Sequence, residues 1–176
     1  MTLPELAKSA VENYLQKGTV LNFSSFPHDY LPEDFFTKKA GTFVTIEKNK
    51  ELRGCIGTYL STKENIIQEV IDNAISAAVS DPRFAPVSLD ELSKLRFIVY
   101  LLGEPEQIND IGELDPKDYG VIVKSADFPE KVGLLLPDLE GVDTIEKQIY
   151  IAYKKAGINP AKEKIELYRF KADKYS

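Results

Sequence analysis

The sequence predicts an α+β fold: a largely antiparallel sheet with helices packed on it. Three observations lead there. Runs of β-branched and aromatic residues stand next to one another across short polar turns, as the strands of hairpins do. Apolar residues recur at helical spacing in other segments, each opened by a capping residue and closed by Gly or Pro. No repeat, low-complexity segment or linker divides the 176 residues, a length that suits one domain or one domain with a small appended lobe.

The elements follow in order. Thr2 caps a first helix with Pro4 and Glu5 in its opening turn, Leu6, Ala10, Tyr14 and Leu15 along one side, and Gly18 as its stop. Residues 22 to 37 are rich in proline and aromatics without a period, which predicts an ordered loop with a short helix near Pro32. "GTFVTIEKNKELRGCIGTY" predicts two strands joined around Lys48, Asn49 and Lys50. Ser61 and Glu64 read as a capping box before the periodic run Ile67, Val70, Ile71, Ala74, Ile75 and Ala78, and Pro82 ends that helix. A second box, Ser88 with Glu91, opens a short helix ahead of the strand "LRFIVYLL". "YGVIVKS" and "VGLLLP" pair across "ADFPEK", Asp143 and Glu146 cap a helix running to Gly157, and "IELYRFKA" is the last strand.

Composition narrows the function classes. With 43% hydrophobic and 28% charged residues the chain is that of a soluble globular protein. No apolar run approaches the roughly 20 residues that cross a bilayer, and the amphipathic start is unlike a signal peptide, so a cytoplasmic protein without membrane contact is expected. One cysteine permits no internal disulfide, in keeping with a reducing compartment. The net charge of -6 disfavours nucleic acid as a partner. Lysines and Arg169 outnumber acids near the end of the chain, where a solvated helix face accounts for most of them.

The lone cysteine, Cys55, stands between Gly54 and Gly57 with Arg53 two positions before it. In a strand, Leu52, Gly54, Ile56 and Thr58 share one side and Arg53, Cys55 and Gly57 the other. If Leu52 and Ile56 face the core, Arg53 and Cys55 face away together, and Gly57 leaves room for something to approach the backbone. A guanidinium nearby favours the thiolate, a nucleophile or metal ligand. The competing account makes Cys55 a small buried residue and the glycines a bulge or a close packing contact. One cysteine and one histidine exclude a conventional structural zinc site, and no cofactor is implied by this chain.

His28 could serve as base to a thiol only if its loop folds back over the strand; a histidine at a proline-flanked surface turn needs no such role. "SDPRFAPVS" is the second candidate. Asp81 and Arg83 emerge from a rigid corner at Pro82, able to bind a polar ligand or to pair with each other and with free backbone groups. Glu91 reads as a helix cap. No phosphate-cradling glycine loop and no paired Ser and His signature occurs.

"LRGCIGT" and "DPRF" together resemble the AMMECR-one domain family, and "LDPKDYGVIVKS", "GLLLPDLEGVDTIEKQIYIAYKKAGI" and "LYRF" extend the likeness over nearly the whole chain, toward the branch called AmmeMemoRadiSam system protein A. The resemblance implies two unequal lobes with a cleft at the "LRGCIG" segment. It also implies company, a Memo-type protein and a radical S-adenosylmethionine enzyme, but no established activity. By position it reaches Leu52 to Gly57 and Asp81 to Phe84, then Tyr119, Gly120, Gly133 and Pro137. Ala85 departs from a second proline common in the family, and His28 lies where the likeness is weak. It raises the functional reading of Cys55 above the purely packing one.

Two functions from different classes fit these residues. In one, an enzyme or enzyme subunit uses Cys55, activated by Arg53, on a small acidic or carbonyl ligand held by Arg83. In the other, the same strand and corner are the recognition surface of a module that docks on the Memo-type protein.

Overall fold

The computed structural model describes residues 1–22 and 31–176. His28 and the middle of the proline-rich loop lie outside the described residues. The chain forms two compact units, Met1–Leu102 with Asp173–Ser176, and Gly103–Ala172.

The first unit holds α1 (Leu3–Lys17), α2 (Asp34–Thr37), β1 (Gly41–Lys48), β2 (Glu51–Thr58), α3 (Ile66–Val79), a 3-10 turn at Leu89–Lys94 and β3 (Leu95–Leu102). Its sheet has the order β2-β1-β3-β8, with β8 (Ala172–Tyr175) from the end of the chain. The helices α1 and α3 pack on each other and on this sheet, because their apolar stripes meet the inward residues of β1 and β3. Leu6, Ala10, Val44, Ile46, Val70, Ala74 and Val99 are wholly buried there. The second unit holds β4 (Glu106–Ile108), β5 (Gly120–Ser125), β6 (Val132–Leu135), α4 (Ile145–Ala156) and β7 (Ile165–Phe170), in a sheet of order β4-β7-β5-β6. Its core is Val121, Val123 and Leu135 from the sheet against Ile149 and Ala152 of α4. The pairings described in both sheets are antiparallel, as expected for an α+β fold built from hairpins.

Local signals placed most elements. Thr2 and Glu5 form the reciprocal capping box of α1, and Gly18 closes it in the left-handed region at φ 68°. Two caps differ. The Asn65 side chain, accepting from Gln68 N, caps α3, while Ser61 and Glu64 lie in the preceding loop. Thr144 rather than Asp143 caps α4. β4 and β8, three and four residues long, are too short to show a period of their own. No described helix is long and apolar enough to cross a membrane.

Candidate functional site

The site grows from a hairpin whose register slips. Thr45 faces Cys55 and Ile46 faces Gly54, but Glu47 faces Leu52, leaving Arg53 without a partner as the extra residue of a β-bulge. The simple alternation therefore fails before Gly54. Leu52, expected in the core, stands on the outer side opposite Glu47 and is 44% exposed; Ile56, beyond the bulge, does pack against the core. Both glycines are explained by neighbours inside the chain. A Cβ on Gly54 would lie 2.2 Å from the Ala77 carbonyl oxygen of α3, and one on Gly57 would meet the Phe43 ring at 2.3 Å and the Thr42 carbonyl at 2.4 Å. The room expected beside Gly57 is filled by Phe43, its cross-strand partner.

β2 is the edge of its sheet, and the backbone of Cys55 turns outward from β1. Its N–H donates to Asp81 Oδ2 at 2.9 Å, and its carbonyl accepts from Arg83 Nη2 at 3.3 Å. Asp81 in turn accepts from Arg83 through N at 3.1 Å, Nε at 2.9 Å and Nη2 at 2.6 Å. The corner after α3 thus stands where a further strand would pair, satisfying one donor and one acceptor of the open edge. Hydrogen bonds from Arg83 hold the Asp81 carboxyl well below the usual carboxylate range, against the cost of its burial. The same contact raises the Arg83 guanidinium further above neutrality. The two ends differ in exposure: the Asp81 side chain is 2% exposed and that of Arg83 54%.

Arg53 goes elsewhere. Its Nη2 donates to Glu91 Oε1 at 2.6 Å and to the Pro86 carbonyl at 3.3 Å, and its buried Nη1 has no partner among the described residues. Glu91 Oε2 takes Lys48 Nζ at 2.7 Å, and Oε1 also accepts from Ser88 N at 3.2 Å. Glu91 is therefore more than the helix cap expected of it; the hydrogen bonds from Lys48 and Arg53 lower its carboxyl to about 2, against the cost of burial. The half-buried Cys55 Sγ lies 3.3 Å from Thr45 Oγ1, and no described hydrogen bond joins it to Arg53. The structure brings Cys55, Asp81 and Arg83 together and sends Arg53 to a second cluster with Lys48 and Glu91.

A polar group beside the far end of β2 escaped the sequence reading. Glu69, 1% exposed, accepts from Thr58 Oγ1 at 2.6 Å, Thr62 N at 2.7 Å, Lys63 N at 2.8 Å, Thr62 Oγ1 at 3.0 Å and Ser61 Oγ at 3.1 Å. Burial works to raise its carboxyl, yet these hydrogen bonds outweigh burial and lower it. Asn73, one turn on, donates to Thr42 Oγ1 at 2.8 Å and the Thr42 carbonyl at 3.2 Å. In the sequence Glu69 and Asn73 adjoin the polar residues Gln68, Asp72 and Ser76 at the same helical spacing, so the pattern reads them as part of the solvated face.

Comparison with known proteins finds relatives along nearly the whole chain. A Thermotoga maritima protein is 51% identical over 166 residues, covering 94% of this chain and 91% of its own length. A Pyrococcus furiosus protein is 34% identical over 186 residues, covering 97% and 84%. A Clostridium acetobutylicum protein is 46% identical over 155 residues, 88% of this chain, which spans about a third (32%) of that longer protein. The crystal structure of an uncharacterized protein from Pyrococcus horikoshii superposes with a TM-score of 0.82 at 33% identity, covering 98% of this chain and 88% of the other. With the AMMECR1 family pattern matching residues 4–175, the chain belongs to the AMMECR1 family.

Proposed function

We propose that the outer edge of β2 and the Asp81–Arg83 corner are the recognition surface of a binding module. The observation that carries this reading is the placement of Arg83: its exposed guanidinium is held still by a buried carboxylate and by the Cys55 carbonyl, and it lies 5.5 Å from the Phe84 ring. A cation immobilised before binding loses little rotamer freedom when a partner arrives, and arginine is the residue type most suited to anchoring a carboxylate or carbonyl. The ligand is accordingly a small acidic or carbonyl-bearing group, free or displayed on a protein. Cys55 forms the floor beside it, with Gly54 and Gly57 setting the strand against α3 and β1.

The enzyme reading requires Arg53 to activate Cys55, and Arg53 is engaged with Glu91 and Pro86, which favours binding over thiol catalysis. The likeness of "LRGCIGT" and "DPRF" to the AmmeMemoRadiSam system protein A branch supports a Memo-type protein as the partner, acting in the cytoplasm alongside a radical S-adenosylmethionine enzyme. Calorimetry of the purified chain with that Memo-type protein tests the reading. Arg83→Gln should weaken the complex by about 2 kcal/mol, while Cys55→Ser binds as the parent does, each variant first shown to be folded by its thermal transition. Undiminished binding by folded Arg83→Gln ends the proposal. An intact complex whose pathway output disappears in Cys55→Ser returns the thiol to a catalytic role.

A further inference from the structure

The second unit carries a separate cavity of about 360 Å³, whose walls include Glu104, Glu106, Tyr119, Arg169, Phe170 and Lys171. Its frame is held on several sides. Tyr119 accepts at its carbonyl from Nε2 of the fully buried Gln148 at 2.8 Å and donates its own N–H to the Asp115 carbonyl at 2.8 Å. Next to it, Gly120 lies so close to the Phe170 ring that a Cβ would meet it at 2.2 Å. Gly103 N donates to the Lys171 carbonyl at 2.8 Å, tying the two ends of the unit together.

The charges in this cavity fall into two classes. Arg169 is neutralised and fixed: Nε donates to Glu106 Oε2 at 3.0 Å, Nη1 to the Glu113 carbonyl at 2.9 Å, and the guanidinium lies 4.6 Å from the Tyr119 ring centre. Lys171 and Glu104 are not. Among the described residues the Lys171 ammonium meets the Tyr119 ring, 5.7 Å away, and neither Lys171 nor Glu104 has an ion-pair partner, each other included. Two acids and two bases leave the cavity without net charge, so a simple anion or cation gains no net field from it. An unpaired positive and an unpaired negative group lining one cavity match a ligand that carries both charges.

We propose that this cavity binds a zwitterion of the α-amino acid class. The ligand carboxylate meets Lys171 and the Arg169 Nη2 that no described bond uses, its ammonium meets Glu104, and its side chain lies against Tyr119. The volume is within the range of small-molecule sites and exceeds what one amino acid needs. The site is distinct from the β2 edge and stands or falls independently of it.

The test is an amide-resolved NMR titration of the full chain with L-leucine, alongside 4-methylpentanoate, which lacks the ammonium, and 3-methylbutylamine, which lacks the carboxylate. L-Leucine should give saturable shifts centred on Gly103, Glu104, Tyr119 and Lys171, and each single-charge analogue should bind about tenfold more weakly, one charged hydrogen bond being worth roughly that factor. Lys171→Ala and Glu104→Ala remove exposed side chains, leave the rest of the spectrum in place, and should each cost about the same tenfold. The proposal is overturned if L-leucine produces no saturable shift at these amides, or if 4-methylpentanoate binds as well as L-leucine.

Discussion

Gly54 and Gly57 show the packing account of the two glycines, one of the two the sequence left open, to be the one the fold uses. Their lack of side chains does mark a close approach, but what approaches is the chain's own α3 and Phe43. A methyl on Gly54 has to push α3 off β2, since the nearest atom is a backbone oxygen with no rotamer to yield. Gly54→Ala should therefore cost about 2–3 kcal/mol, read as a lower urea midpoint, by the general penalty for overpacking a tight contact. A midpoint equal to the parent's would mean the strand and helix are not in that contact. Glu69 makes the complementary point at the same scale. A carboxylate in the core is tolerated because Thr58, Ser61, Thr62 and Lys63 supply five donors, and it binds the loop after β2 to the helix beneath.

At the scale of elements, the β1–β2 hairpin is the part of the fold that the whole candidate site depends on. Its two-residue turn places Asn49 at φ 54° and Lys50 at φ 68°, the doubly left-handed conformation that suits the twist of a hairpin. Asn is at home there; Lys is not. Lys50→Gly should stabilise the protein by about 0.5–1 kcal/mol, the relief of the left-handed strain less the greater entropy that glycine adds to the unfolded chain. Denaturant unfolding of Lys50→Gly beside Lys50→Val, which should destabilise, decides it. A Gly variant no more stable than the parent would show that Lys50 is not strained. The free side of the same hairpin would be an open row of donors and acceptors but for the Asp81–Arg83 corner, so a pair that serves recognition in our reading also keeps the sheet from pairing with other chains.

For the molecule as a whole, the depressed carboxylates set how it meets acid. Glu91, hydrogen-bonded by Lys48 and Arg53, and Glu163, hydrogen-bonded by Lys131 and Asn159, are each lowered to about 2, and Asp81 and Glu69 are lowered as well. A carboxyl whose folded value is below its unfolded one stabilises the fold fully above the unfolded value, near 4.3 for Glu, and ceases to as the pH falls to the folded one. Thermal stability should therefore hold down to about pH 5 and decline toward pH 2. Glu91→Gln should flatten that decline by on the order of 2 kcal/mol, measured as the difference in unfolding free energy between pH 5 and pH 2; parallel pH profiles would remove Glu91 from the account. How much could be read in advance follows the range of the forces involved. Helix caps at Thr2 and Gly18, the turn at Asn49 and Lys50 and the strand at 95–102 were legible because each is decided by residues within a turn or a few positions of one another. The antiparallel α+β class, the corner at Pro82 and the pairing of Asp81 with Arg83, two residues apart, belong to the same local grammar. Arg53 meets Glu91 across 38 positions and Cys55 meets Asp81 across 26, and no period or propensity in the chain encodes such partners. The bulge at Arg53 followed from the pairing of β2 with β1, and the need for glycine at 54 from the proximity of α3. Sequence alone determined the longer helices and strands and the turns between them, but not the short strands β4 and β8 or the departure of Arg53 from Cys55. Tertiary structure decided where each charge is spent, because a buried or edge polar group must take whatever complementary group packing brings within about 3 Å of it.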